Sequence, residues 1–207
     1  LNSKSVAVSG GDITGAGTIL CGATDNTCAA GTVTLTGTGS LGGGTYTFYD
    51  LQFTGAGTLT AAGNITANGT ITAQAGSFAV GGNTVTAGNV TINGGTLSIS
   101  GSGGQLKIAS GGTLLMNNAS SVFTTSDVAT APVLTTSGTP GTHYFGISLT
   151  AGTLNVAELD VDCLTSAGFV IGSGVTLTAF DQVRWGGSGA TWHGQAAAGE
   201  VMLDITS

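Results

Sequence analysis

The sequence predicts an all-β protein, a right-handed parallel β-helix (β-solenoid) with about three short strands in each coil of about 19–21 residues. Residues 57–116 repeat one short motif, a Thr-apolar-Thr triplet followed by a turn of Gly, Ala and Asn. Within each motif, apolar and polar residues alternate with period two, as they do in a short strand. The Gly or Asn at its end can adopt the positive φ of a tight turn. Apolar residues also recur at longer range, since Leu59, Phe78 and Leu97 follow one another at equal intervals of one predicted coil, and Leu114 follows at a slightly shorter interval.

A second set of apolar residues repeats with a similar period, since Ile65, Val85 and Leu106 also follow one another at intervals of one predicted coil. A chain wound into stacked coils brings such residues into columns, where each coil buries its inward side chains against its neighbours. With strands about 4.8 Å apart, we expect roughly ten coils and a rod roughly 50 Å long.

The composition supports this architecture and excludes a disordered chain. The 207 residues include 38 Gly and 2 Pro, and only 6 % are charged, which differs from the average globular mixture. With 41 % hydrophobic residues and a mean hydropathy of +0.38, the chain lacks the low hydrophobicity and high net charge of disordered proteins. We therefore expect a rod stabilised mainly by backbone ladders and a thin apolar core.

The charge pattern excludes several classes of partner. The formal net charge is −7, and Lys4, Lys107 and Arg184 are the only Lys and Arg residues, so we expect no nucleic acid as partner. No apolar run is long enough for a transmembrane helix, so no membrane insertion is expected. The start, LNSKSVAV, has neither an initiator Met nor the pattern of a signal peptide, which favours a processed product or an excised segment.

The first segment, residues 1–45, is predicted to form N-terminal coils with a loop that carries two cysteines. Cys21 and Cys28 bracket the sequence CGATDNTC. A disulfide would tie down this loop and stabilise the fold by roughly 2–3 kcal/mol; the alternative is two unpaired thiols in a turn. The disulfide is favoured because an Asp-Asn loop flanked by cysteines suits an oxidising compartment.

The remaining segments continue the same solenoid, so residues 1–207 are predicted to form one domain. Residues 46–123 carry the regular repeats. Residues 124–145 contain both prolines and lack clean alternation, which predicts a loop. Residues 146–207 resume longer strands with larger side chains and are predicted to form wider C-terminal coils.

Two aromatic-rich stretches and one cysteine are predicted to be structural. The stretches are TYTFYDLQF at 45–53 and AFDQVRW at 179–185, and both alternate as core strands do. Cys163 falls on the apolar side of its strand, which predicts a free, buried, small hydrophobic side chain.

Three runs, FYDLQFTGAGTLTAAGNITANGTITAQAG, GTHYFGISLTAGTLNVAELDVDC and FDQVRWGGSG, carry a resemblance to known proteins. They resemble the Gly/Thr-rich right-handed β-helix segments of very large secreted bacterial surface proteins, similar to autotransporter and filamentous-adhesin passengers. The resemblance covers most of residues 45–207. It implies an extracellular, structural or adhesive role without enzymatic activity, and it carries over no catalytic residue.

Acidic residues concentrate near the C-terminus, where six of the ten carboxylates lie between Glu158 and Asp204. Glu158, Asp160 and Asp162 alternate along one predicted strand and therefore share one of its faces. Asp160, Asp181 and Asp204 follow one another at intervals close to one predicted coil, a spacing that could stack them coil on coil.

Three interpretations of these acids are open. A solvated acidic face that keeps the rod soluble and discourages edge pairing is favoured. Calcium ligands are a second possibility, and acid/base pairs of a polysaccharide-degrading enzyme are a third. An enzyme acting on sugar would also need aromatic platforms and basic groups, for which Arg184, Trp185, Trp192 and His193 are the candidates.

Ice binding is a further alternative, because Thr-x-Thr triplets on a flat solenoid face can order water. Alignment at the interval that separates Leu59 from Phe78 places four pairs in successive coils: Thr58/Thr60, Ser77/Ala79, Thr96/Ser98 and Thr113/Leu115. The predicted array is interrupted, and Thr is in any case a good strand residue.

Taken together, these patterns predict an extracellular or cell-surface structural or adhesive solenoid, a unit of a filament or surface layer. No catalytic residue and no cofactor are expected, apart from the calcium alternative. The expected partner is a second copy joined head-to-tail or the neighbouring coils of a longer chain, and a surface polysaccharide is an alternative partner.

Overall fold

The computed structural model describes residues 31–185 and, outside that range, the backbone of the strands at 6–8, 13–14, 18–20 and 203–205. The chain is all-β, without a helix among the described residues, and its parallel strands stack into a β-solenoid of about seven turns. The predicted fold class is therefore confirmed.

The described part of the solenoid contains twenty strands, and every pairing between them is parallel. In chain order they are β1 Val6–Val8, β2 Ile13–Thr14, β3 Thr18–Leu20, β4 Thr32–Leu35, β5 Gly39–Gly42, β6 Thr45–Phe48, β7 Asp50–Phe53, β8 Thr58–Ala61, β9 Ile65–Ala73, β10 Ser77–Ala79, β11 Thr84–Ile92, β12 Thr96–Ile99, β13 Gln105–Ile108, β14 Thr113–Thr125, β15 Val133–Thr136, β16 Phe145–Val156, β17 Leu159–Val161, β18 Leu164–Phe180, β19 Val183–Trp185 and β20 Leu203–Ile205.

The strands form three faces. Face I contains β1, β4, β7 and β20, face II contains β2, β5, β8, β10 and β12, and face III contains β3, β6, β13, β15, β17 and β19. The long strands β9 and β11 turn from face III to face I, whereas β14, β16 and β18 turn from face I to face II. Inward side chains of all three faces meet in one apolar core, while the outward positions are mostly Thr, Ser and Asn.

The predicted columns are confirmed in the regular part of the chain. Leu59, Phe78 and Leu97 pair in register on face II, and Ile65, Val85 and Leu106 pair in register on face III. The placement of Leu114 was wrong, because Phe123 follows Leu97 on face II and Leu114 pairs with Val90 on face I. The prediction holds only while the coils keep a constant length, and the coils lengthen after Leu97.

The lengthening also changes the size of the rod. On face II, Leu97, Phe123 and Leu154 are successive members of one column. Their intervals along the chain exceed the predicted coil length, and the second interval is the longer of the two. The described strands therefore make about seven turns, fewer than the roughly ten expected. At about 4.8 Å per strand, seven turns give a rod roughly 34 Å long, which is shorter than expected.

The segment predicted as a loop, residues 124–145, contains part of the solenoid. Strand β14 continues to Thr125, and β15 pairs with β13 and β17 on face III. Pro132 lies directly before β15, where a proline removes no hydrogen bond from the strand, and its carbonyl accepts the N–H of Asp160 at 2.8 Å.

The two aromatic-rich stretches contribute to the core, but each is divided by a corner. The first forms β6 and β7, and Phe53 of β7 stacks on Phe78 with ring centroids 4.4 Å apart. The second forms the end of β18 and β19, separated by a turn in which Gln182 has φ 45°. The Trp185 and Phe180 rings each meet Phe169 edge to face.

Candidate functional site

The acidic cluster predicted from the sequence lies on and beside β17, in face III. Leu159 and Val161 point into the apolar core, as the alternation predicts, so Glu158, Asp160 and Asp162 lie on the outer side of the strand. These three acids are nevertheless buried, with Asp160 only 1 % exposed. The prediction of a solvated acidic face was therefore wrong for this strand.

A single guanidinium explains how two of the carboxylates can be buried. Arg184 lies opposite Asp160 in the next strand, β19. Its Nε donates to Asp160 Oδ1 at 2.5 Å, and its Nη2 donates to Glu158 Oε1 at 2.9 Å. These two hydrogen bonds raise the pKa of Arg184 above its ordinary value, the one to Asp160 having the larger effect. Charge pairing thus replaces the water that these acids would otherwise need.

The segment before β15 covers the other side of Glu158. The backbone N–H of Val128 donates to Glu158 Oε2 at 3.3 Å, and the hydroxyl of Thr125 donates to the Glu158 carbonyl at 2.6 Å. Asp160 Oδ2, in contrast, is buried without a hydrogen-bond partner among the described residues. Arg184 therefore pairs with two of the three buried carboxylates of the cluster.

Cys163 is free and buried, as predicted, but the alternation ends just before it. Its φ is 63°, and its N–H donates to Asp162 Oδ1 at 2.7 Å. The sulfur lies near Gly141 and Thr135 and is not part of the main apolar cluster. Burial, and secondarily the charge of Asp162, raise the pKa of the thiol. The positive φ explains why the strand pattern predicted the burial of this residue but not its surroundings.

The predicted stack of Asp160, Asp181 and Asp204 does not form. Asp160 has Val133 and Arg184 as its neighbours along the ladder. Asp181 is exposed just beyond β18, and the backbone of Asp204 pairs with Val170 on face I. Similar spacing in sequence does not become a column here because the coils have unequal lengths. The side chain of Asp204 lies outside the described residues.

The geometry of the cluster disfavours both chemical alternatives. Asp160 is almost completely covered, so it cannot act as acid or base on a sugar bound at the surface. Within residues 31–185, no group of three or more His, Cys, Asp and Glu side chains is arranged to hold a metal ion. What the arrangement does is link β17 to β19 through Arg184.

The two remaining predicted features are the disulfide of the N-terminal loop and the Thr array on face II. Cys21 and Cys28 lie outside the described residues, so their disulfide stays a prediction. The Thr array on face II follows the predicted pairs through Thr96/Ser98, but the fourth pair is Val122/Thr124 instead of Thr113/Leu115. The array is still interrupted by Ala79 and Val122.

One surface feature was missed by sequence reasoning. A groove of about 420 Å3 runs along the corner between faces II and III, and we call it the edge groove. It is lined by Gly43, Gly44, Gly63, Asn64, Thr66 and Asn83, with the buried Tyr46 beneath. The signal that could have found it is the glycines before β6 and β9, which remove side chains from corresponding corners of adjacent coils.

Glycine is required at this corner because the two turns touch. A Cβ on Gly63 would lie 2.6 Å from the nitrogen of Gly43, and one on Gly42 would lie 2.6 Å from the nitrogen of Gly63. Side-chain amides fix the corner from outside: Asn64 Oδ1 accepts the N–H of Thr84 at 2.9 Å, and Asn83 Nδ2 donates to the Ala61 carbonyl at 2.7 Å.

The fold and these sites define the class of protein: a parallel β-solenoid with polar outer faces, buried acids paired with a half-exposed arginine, and an open, uncharged groove. Searches of protein-family models, curated proteins and solved structures find no significant match to the chain. In the part of the chain that the structure describes, no helix is long and apolar enough to cross a membrane.

Proposed function

We propose that this solenoid is an extracellular structural or adhesive element, a unit of a filament or surface layer that adds further coils along its axis. The observation that carries the proposal is the continuity of the parallel ladders on all three faces, from β1–β3 at one end to β18–β20 at the other. A solenoid of this kind is extended by stacking one more coil on an open edge.

The C-terminal edge on face II has the properties of such a stacking surface. Leu177 belongs to the inward column of Leu154, yet it is 42 % exposed. Among the described strands, the stretch 176–180 is paired on one side only. An exposed core residue beside an edge that no further described strand covers favours the addition of another strand, from a second copy or from neighbouring coils of a longer chain.

Composition supports the extracellular part of the proposal. The outward positions are dominated by Thr, Ser and Asn, and Lys and Arg together number only 3 in the whole sequence. This composition is more usual in secreted and surface proteins than in cytosolic enzymes. The proposal assigns no catalytic residue and no cofactor to the chain.

The association is tested by sedimentation and electron microscopy of the 207-residue chain at rising concentration. We expect rods of one solenoid width that lengthen with concentration. Leu177→Lys places a charge on the exposed edge and should leave a folded monomer, whereas Thr60→Lys, on the outer side of face II, should leave association unchanged. A wild-type chain that stays monomeric at high micromolar concentration would refute head-to-tail association.

The location is tested separately in the source cells. Immunogold labelling of intact cells should place the protein outside the outermost membrane. Labelling that requires permeabilised cells would contradict the extracellular assignment.

A further inference from the structure

We propose that the edge groove binds a neutral saccharide through its amide and hydroxyl groups. This inference rests on the proposed adhesive function and names the class of partner for it. The partner would be a hydroxyl-rich, uncharged sugar chain, such as a surface polysaccharide.

The groove has the size of a small-molecule site. Its volume of about 420 Å3 falls within the range of roughly 300–1,000 Å3 that is typical of ligand pockets. It is open along the corner, so a chain could pass through it. Three of its lining residues are the turn glycines Gly43, Gly44 and Gly63, which carry no side chain, so ligand atoms can approach their backbone closely.

Three polar groups of the groove keep hydrogen-bonding capacity. Asn64 uses its Oδ1 for the Thr84 N–H, and Asn83 uses its Nδ2 for the Ala61 carbonyl. Within the described part of the chain, Asn64 Nδ2, Asn83 Oδ1 and the Thr66 hydroxyl have no partner. The groove thus offers a donor, an acceptor and a group that is both.

This set matches sugar hydroxyls, each of which can donate and accept a hydrogen bond. The two amides are held by their structural hydrogen bonds, so their free atoms are already oriented before a ligand binds. No lining residue carries a charge, and the chain as a whole has a net charge of −7. A neutral saccharide is therefore favoured over an acidic one, which would be repelled.

The test is an NMR titration of the full-length Leu177→Lys variant, which is expected to be a monomer and whose substitution lies outside the groove. The probes are cellohexaose, mannohexaose and maltohexaose, each up to about 10 mM, with hexagalacturonate as the acidic comparison. We expect at least one neutral probe to shift the amide signals of Gly43, Gly44 and Gly63. No shift with any neutral probe, or stronger binding of hexagalacturonate, would overturn the proposal.

Two variants test the assigned groups. Thr66→Val removes the hydroxyl while keeping the shape of the side chain, and we expect it to weaken binding roughly fivefold, the effect of one neutral hydrogen bond. Asn64→Asp keeps an oxygen for the Thr84 N–H but removes the donor, and it should also weaken binding. The matched control is Thr86→Val, which changes the residue paired with Thr66 in the next coil but outside the groove.

Equal affinities of Thr66→Val and Thr86→Val would overturn the assignment. The result of the saccharide titration can be distinguished from the result of the association test. Wild-type rods together with no saccharide binding by the variant refute only the groove, whereas saccharide binding together with a wild-type chain that remains monomeric refutes only the filament.

Discussion

Arg184 is the residue on which the burial of the β17 carboxylates depends. It is half-exposed, with its side chain 50 % accessible, while its partner Asp160 is 1 % accessible. The asymmetry has a physical consequence, because losing the cation leaves the acids buried without compensation, whereas losing one acid leaves a cation that can still be hydrated.

The first prediction follows from this asymmetry. Arg184→Gln should lower the melting temperature more than Asp160→Asn does, and the double variant should lose less stability than the sum of the two single variants. Thermal melts of the four proteins measure this coupling. Additive effects would show that Arg184 does not hold the carboxylates in place.

The second prediction concerns the reactivity of Cys163. Only the thiolate reacts with alkylating reagents, and burial both covers this thiol and raises its pKa. Native protein without reductant should take up no label at Cys163, and one label should appear after unfolding if Cys21 and Cys28 are paired. Mass spectrometry counts the labels; three labels after unfolding would refute the disulfide.

The same thiol makes stability depend on pH at the alkaline end. Since the folded state holds the thiol proton more tightly than the unfolded chain, this contribution is fully present below the pKa of the unfolded thiol and is lost as the pH rises through the higher folded value. Denaturant unfolding from neutral to alkaline pH should therefore show a loss of stability that is smaller in Cys163→Ala. An identical loss in both proteins would contradict the assignment.

At the scale of strands and corners, close contacts between turns decide which sequences can stack. Gly63 and Gly43 touch through their backbones at the corner of faces II and III. Gly146, in contrast, is the second residue of β16, and a Cβ there would meet nothing closer than 3.6 Å. Glycine is therefore required at position 63 but not at position 146.

The third prediction compares alanine at these two sites. Gly63→Ala should cost about 1–3 kcal/mol of unfolding free energy, because the backbone of the neighbouring coil must move away. Gly146→Ala should be close to neutral. Urea unfolding measures both, and equal values would argue against close contact at the corner.

For the whole molecule, the charge balance determines what kind of contact can join two rods. The described strands meet through backbone ladders and apolar columns. The salt bridges found between described residues join Arg184 of β19 to Asp160 of β17 and to Glu158, which directly precedes β17. Contacts through ladders and apolar columns are not screened by salt.

The fourth prediction is that head-to-tail association is insensitive to ionic strength. Raising sodium chloride from about 0.05 M to about 0.5 M should leave the rods intact, since screening weakens only exposed charge pairs. Sedimentation at both concentrations measures the rod length. Rods that dissolve at high salt would indicate a charged interface instead.

The sequence by itself determined the all-β solenoid, the inward columns from Leu59 to Leu97 and the burial of Cys163. These features follow from local rules. Alternation decides which side chains of a strand point inward, and a constant period brings inward side chains of successive coils into one column as long as the corners keep the same length. The same alternation predicted that stretches 45–53 and 179–185 belong to the core. It did not predict the corner that divides each stretch into two strands.

The tertiary structure alone decided where the coils lengthen, which acids are buried and where the edge groove lies. Arg184 reaches Asp160 from the following coil, and nothing in the local pattern distinguishes a paired carboxylate from a solvated one. The groove depends on glycines of adjacent coils meeting at one corner. The physical reason is common to all three: register between coils is set by the lengths of the corners, which local alternation does not specify.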